Sequence, residues 1–185
     1  LLPLDLDGIG VMQAYVLDLN RCFNLNWLAD DTNNHQYRRL QRLLAHLLLS
    51  PDLADLIKDW VDSDEQVTGL GAEDSLYQLR TPPYYAANQP MQDLSELNML
   101  IDVDPIEVQT LSNHVCTVPD TKSKINVNTA AAETLYSLDN AISLQDAQAI
   151  AQASRNYQTV ADFVQNHPEF AVVQQRLSVT SEYFL

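Results

Sequence analysis

The sequence predicts an α+β chain in which a large, mainly α-helical domain is inserted between strands of a small sheet. Strand-like ends and a helix-patterned middle carry that reading. Residues 9–20 are rich in β-branched and aromatic types, lack helix caps and read as a strand. The final stretch, Leu177 to Leu185, reads the same way. Between them, Leu40, Leu43, Leu44, Leu47 and Leu48 fall on one face of a helix spanning about 36–49.

Ser50-Pro51 supplies a cap and a first-turn proline for the next helix, whose apolar stripe is Leu53, Leu56, Ile57 and Trp60. Residues 62–93 break the pattern with Gly69, Gly71, Pro82, Pro83, Pro90, acidic residues and three tyrosines. A segment this long and irregular is usually functional or disordered. Helices resume at 94–100. Asp104-Pro105 with Glu107 at the third helical position, Ser143 with Asp146, and Thr159 with Asp162 are helix openings. A last helix is expected over 168–176. The expected division is 1–27 for the entering strand, 28–175 for the helical insertion and 176–185 for the returning strand.

The chain has 185 residues and 46% hydrophobic content, enough for one ordinary domain or two small ones. Its 25 acidic against 10 basic residues give a net charge of −15. That balance argues against a nucleic-acid partner, because such affinity rests on Lys and Arg contacts to phosphate. It leaves metal cations open, since acidic clusters attract them. No stretch approaches the roughly 18–20 apolar residues of a membrane-spanning helix. Cys22 and Cys116, the two cysteines, are too few and too distant for a zinc site. They are either two buried thiols or one disulfide closing a long loop.

The densest chemistry is the run from Asp59 to Asp74, with six carboxylates: Asp59, Asp62, Asp64, Glu65, Glu73 and Asp74. Folded together without a cation they would repel one another, and Ca²⁺ takes six to eight oxygens from such groups. Asp62, Asp64, Gln66 and Glu73 fit positions 1, 3, 5 and 12 of an EF-hand, but Val67 stands where that loop requires glycine. The spacing permits an irregular calcium loop; a solvated acidic surface fits the same composition.

Ile125-Asn126-Val127-Asn128-Thr129-Ala130, followed by a helix, a hairpin at Leu138–Ser143 and a helix reaching Arg155, has the outline of a helix-hairpin-helix. DNA-binding versions use a glycine-rich hairpin among basic residues; here Asp139 sits in the hairpin, which favours a packing unit over 119–175. His35, His46, His114 and His167 show no H-x-x-x-H spacing, and no nucleophile elbow, P-loop or dinucleotide fingerprint occurs. No catalytic residue is expected. The rival readings are a nucleic-acid-binding helix-hairpin-helix module and an uncharacterised hydrolase.

Several segments, in order, resemble the K-type minor pseudopilins of type II secretion. They are Cys22-Phe-Asn-Leu-Asn26, Asp59-Trp-Val-Asp-Ser-Asp64, Gly71-Ala-Glu-Asp-Ser-Leu-Tyr77 and Pro83-Tyr-Tyr-Ala-Ala-Asn-Gln-Pro90 with Glu96-Leu97. Cys116-Thr-Val-Pro119 and Ile125-Asn-Val-Asn-Thr129 complete the set. The resemblance implies a small antiparallel pseudopilin-type sheet interrupted by the helical domain, and a structural role at the pseudopilus tip. Its implied partners are the I-type and J-type pseudopilins, then the H-type, with secreted exoproteins or the outer-membrane secretin beyond them. It implies calcium, with Asp62, Asp64, Glu73 and Asp74 as ligands and Asn88 as a further one. A periplasmic location on the inner membrane of a Gram-negative bacterium follows from it, and favours a Cys22–Cys116 bridge. The family's N-terminal anchoring helix and its closing strands are expected outside this chain.

Overall fold

A computed structural model of the chain describes residues 4–5, 9–12 and 15–185. Its frame is helical. α1 (His35–His46) and α2 (Asp52–Val61) pack on the turn at Leu25–Leu28, burying Leu40, Leu43, Leu44, Leu53, Leu56, Ile57 and Trp60. Ser50 Oγ accepts the Asp52 amide at 3.3 Å, but Pro51, expected in the first turn, itself stands at the cap position of α2. Leu48 departs from the expected leucine face: α1 stops at His46, Leu48 takes a left-handed φ of 58°, and its side chain swings into solvent. α3 (Asp74–Tyr77) and α4 (Pro105–Ser112) follow, then α5 (Ala132–Ser137), α6 (Leu144–Gln152) and α7 (Val160–Asn166).

Asp104, Ser143 and Thr159 cap their helices through their side chains. Glu107, however, does not close a capping box; its carboxylate accepts the Ser50 amide at 2.7 Å and ties α4 to the α1–α2 turn. The box forms instead at Asp93 and Glu96. The expected helices at 94–100 and 168–176 are 3-10 helices, Leu94–Met99 and Pro168–Arg176. The helix expected to reach Arg155 ends at Gln152, because the Arg155 guanidinium turns back to the Val127 and Ala130 carbonyls, each at 2.9 Å.

The sheet expectation needs correction. Instead of one antiparallel sheet, the described residues form three separate two-residue strand pairs. β1 (Leu4–Asp5) pairs with β2 (Val11–Met12) antiparallel. β3 (Phe23–Asn24) pairs with β4 (Val115–Cys116), and β5 (Ile125–Asn126) with β6 (Leu177–Ser178), both parallel. The two expected strands shrink accordingly, and residues 13–14 of the first lie outside the described residues. What remains of their antiparallel contact is a short ladder: Leu17 and Leu185 exchange backbone hydrogen bonds at 2.8 and 2.9 Å, and Leu19 donates to Tyr183. Tyr15, Val16, Leu17, Phe184 and Leu185 are exposed along it.

The parallel ladders are short because asparagines end them, twice in the same way. Asn24 and Asn126 each accept the amide two residues on, at 3.1 and 3.0 Å, which bends the chain out of the strand. Asn26 then pairs with the backbone of Met91, accepting its N–H at 2.7 Å and donating to its C=O at 2.9 Å. Asn128 does the same with Tyr157, accepting its N–H at 2.8 Å and donating to its C=O at 3.0 Å. Each side chain thus acts as a strand neighbour that no strand supplies. The segment 118–123 is held by Asn24, which donates to Val118 and Ser123, while Ser123 also accepts from Trp27.

Cys22 and Cys116 form a disulfide with Cα atoms 5.8 Å apart, beside the β3–β4 ladder. It closes a separation of 94 residues, for which the chain-entropy model gives about 4–5 kcal/mol of stabilisation. The α5–α6 hairpin rests on α1 through two arginines. Arg39 donates to the Leu138 carbonyl at 2.7 Å, and Arg42 to the Tyr136 and Ile142 carbonyls at 2.8 and 2.7 Å. Their positive charges sit at the C-terminal end of α5, where the helix dipole favours them.

Candidate metal centre

α2 delivers the first carboxylate. It ends at Val61, and Asp62, the residue after it, is extended and buried. Asp64 accepts the Gln66 amide at 2.8 Å, a local turn that starts the loop. The chain then crosses back over α2, folds through a turn in which Gly71 donates to the Thr68 carbonyl, and brings Glu73 to the start of α3. The result is a group of three: one oxygen each from Asp62, Asp64 and Glu73, all within 4.8 Å of one another. Asp62 and Glu73 are buried and Asp64 is exposed.

Burial sharpens the electrostatics. It pushes the Glu73 carboxyl up to about 7, helped by the charges of Asp59, Asp62, Asp64 and Asp74. The same causes, burial first and then Asp64 and Asp59, lift Asp62 to about 6. Lys58 opposes the Asp62 shift only weakly, and its ammonium is 3.1 Å from the Asn34 side-chain oxygen. Asp62 Oδ1 and both Glu73 carboxylate oxygens are buried with no hydrogen-bond partner among the described residues. Buried polar atoms are normally satisfied, and an exception calls for a ligand or a reason.

These donors fit a hard divalent cation. Carboxylate oxygens converging with unused lone pairs are what Ca²⁺ or Mg²⁺ takes, and the irregular backbone suits the looser geometry of Ca²⁺. Asn88, which is not one of the converging three, also carries a buried, unpartnered Oδ1 and is held at a left-handed φ of 45°. Asp74 behaves differently from the other expected ligands. It is outside the converging three, and its Oδ1 accepts the Ala86 amide at 2.9 Å, so one oxygen serves to dock the 83–90 segment.

Two carboxylates that the ligand set does not include also shape the site. Asp55 and the fully buried Asp59 reach from α2 to the backbone of 68–70. The sequence held a signal for them: acids four apart on the same helix as a buried apolar stripe, followed by Gly69-Leu-Gly71. His46 lies against the Tyr136 ring, with centroids 5.2 Å apart, and His167 bonds the Tyr157 hydroxyl at 2.9 Å. Nδ1 of His167 lies 3.8 Å from the Glu169 carboxylate.

The comparisons with known proteins agree with one another. Two family models, both described as type II secretion system protein K, match residues 21–120 and 125–182. A type II secretion system protein K of Klebsiella pneumoniae is 33% identical over 95% of this chain and 60% of its own length. That of Aeromonas hydrophila is 35% identical over 67% of this chain and 42% of its own. A similar solved structure is in the crystal structure of the GspK–GspI–GspJ complex from the enterotoxigenic Escherichia coli type 2 secretion system. It has a TM-score of 0.77 and 30% identity, over 91% of this chain and 65% of that one. This chain therefore spans about 60% of the Klebsiella relative and less of the Aeromonas one. With both models matched across most of its length, the chain belongs to the type II secretion system protein K family.

Proposed function

We propose that this chain is the periplasmic part of a minor pseudopilin, a structural subunit at the tip of the type II secretion pseudopilus. Its work is assembly in support of protein export across the outer membrane, not catalysis. The observation that carries this is the likeness, at a TM-score of 0.77 over 91% of the chain, to a K subunit solved together with I and J subunits. I-type and J-type pseudopilins are the expected direct partners, with the H-type below them. No helix among the described residues is long and apolar enough to cross a membrane. The helical body at 28–175 is read as an insertion between an entering and a returning segment, supported by the backbone exchange between Leu17 and Leu185. Mixing the chain with soluble I-type and J-type domains at micromolar concentration is expected to give one co-eluting ternary complex. Three separate peaks would count against the assignment.

The same domain is read as calcium-binding, through Asp62, Asp64 and Glu73 with Asn88 as a further donor. The orphaned buried oxygens of Asp62, Glu73 and Asn88 support this. Asp74 has one oxygen engaged with Ala86 and a smaller claim to a ligand role. A cation bound only to the folded chain stabilises it by mass action. A nucleic-acid role has little support: the net charge is −15, and the Arg39 and Arg42 guanidiniums donate to the hairpin's own carbonyls.

A further inference from the structure

We propose that Asp55 and Asp59 are positioning residues that clamp the 68–71 turn onto α2 and thereby bring Glu73 to Asp62 and Asp64. This inference rests on the metal-binding reading of those three residues. Asp55 and Asp59 lie one helical turn apart on α2, and both reach the same returning loop. Asp59 receives the Thr68 amide on both oxygens, at 3.0 and 3.1 Å. Asp55 receives the Leu70 amide on Oδ2 at 2.8 Å and the Tyr37 hydroxyl on Oδ1. All four oxygens have partners, which separates these residues from Asp62 and Glu73, whose oxygens are left over.

The loop lies so close to the two carboxylates that glycine is required at both contact points. A Cβ at Gly69 would stand 2.3 Å from Asp55 Oδ2, and Gly69 also has a φ of +51°. At Gly71 it would stand 2.1 Å from Asp59 Oδ2 and 2.9 Å from the Thr68 carbonyl oxygen. Two residues after Gly71 the chain reaches Glu73, with Ala72 fully buried between them. One helix thus provides Asp62 directly and places Glu73 through its clamp. Holding acids in place before a cation arrives lowers the ordering cost of binding.

The test is calcium titration by calorimetry on chelator-treated protein, with amide exchange read at Thr68 and Leu70 without calcium. Partners that orient ligands typically account for 10–100-fold in metal affinity, so Asp59→Ala is expected to weaken calcium binding by about tenfold or more. Asp59→Asn keeps an oxygen for the Thr68 amide and is expected to stay within about threefold of the parent, where a ligand would not. Gly71→Ala, which leaves every carboxylate in place, is expected to weaken binding about as much as Asp59→Ala. Faster exchange at Thr68 and Leu70 should accompany the loss in Asp59→Ala and Gly71→Ala but not in Asp59→Asn. Parent-like affinity in Asp59→Ala and Gly71→Ala would overturn the clamp while leaving the metal site standing. Equal losses in Asp59→Asn and Asp59→Ala would make Asp59 a ligand rather than a clamp. Absence of any binding to the parent chain would remove the metal reading itself, and the clamp's purpose with it.

Discussion

The buried polar clusters around Asn24–Asn26 and around Asp62–Glu73 are finished in opposite ways. Around Asn24, Asn26 and Ser123, the two asparagine amides answer the backbone of Met91 and Val118, and the Ser123 hydroxyl accepts from Asn24 and from the Trp27 N–H. Around Asp62 and Glu73, buried oxygens of one sign face each other with no hydrogen-bond partner among the described residues. Burying a neutral amide is tolerable once its hydrogen bonds are remade; burying converging carboxylates is not, unless a proton or a cation joins them. The first cluster is complete as chemistry, whereas the second is half of something.

Removing members of each cluster should have opposite consequences. The largest effect is expected at the disulfide that flanks the complete cluster. Replacing Cys22 and Cys116 by serine should lower unfolding stability in urea by about 4–5 kcal/mol, with no change in calcium affinity. Next, Asn26→Ala leaves the Met91 N–H and C=O buried without partners and should cost about 3 kcal/mol in the same assay. Asn128→Ala should do likewise through Tyr157, and an effect below about 0.5 kcal/mol in both would undo the account of the asparagines.

Glu73→Gln should behave in the opposite sense. With chelator present it removes a buried, crowded charge and is expected to raise stability by about 1 kcal/mol; with calcium present it removes a ligand and abolishes the calcium-induced gain. Destabilisation under both conditions would return Glu73 to the ordinary class of packed residues. The smallest expected effect is on pH. Asp62 and Glu73 have carboxyls raised to about 6 and about 7 in the folded chain, above the ordinary range they regain on unfolding. The folded state then holds more protons between about pH 4 and 7, so calcium-free stability should rise as pH falls through that window. Calcium-induced stabilisation should shrink over the same window, because protons and cation compete for the same oxygens. A calcium-free stability that stays flat or falls over the window would contradict the first, and parallel curves with and without calcium the second.

Much of this was legible in the sequence. The leucine face of α1, the apolar stripe of α2 and the side-chain caps at Asp104, Ser143 and Thr159 follow from period and capping chemistry alone. So does the crowding of acids between 59 and 74. The sheet was not legible. β-branched composition marks extended chain at 9–20 and 177–185 but says nothing of pairing direction, and the Asn26 and Asn128 side chains that stand in for strand neighbours act across 65 and 29 residues. Glu107 and Asp74 show the same limit: both stand where a local rule gives them a task, and both accept an amide from a distant segment. The disulfide pairing came from family resemblance, since spacing left it open. The positions of Asp55 and Asp59 were visible, while their use depended on where the glycine turn returns.

The measurement that bears most directly on the account is thermal melting of the chelator-treated chain near neutral pH, with and without millimolar calcium. A native-state ligand well above its dissociation constant should raise the midpoint by about 5 °C or more, and Glu73→Gln should remove that rise. Identical midpoints in calcium and in chelator would mean that the buried acids of this loop do not answer to the cation.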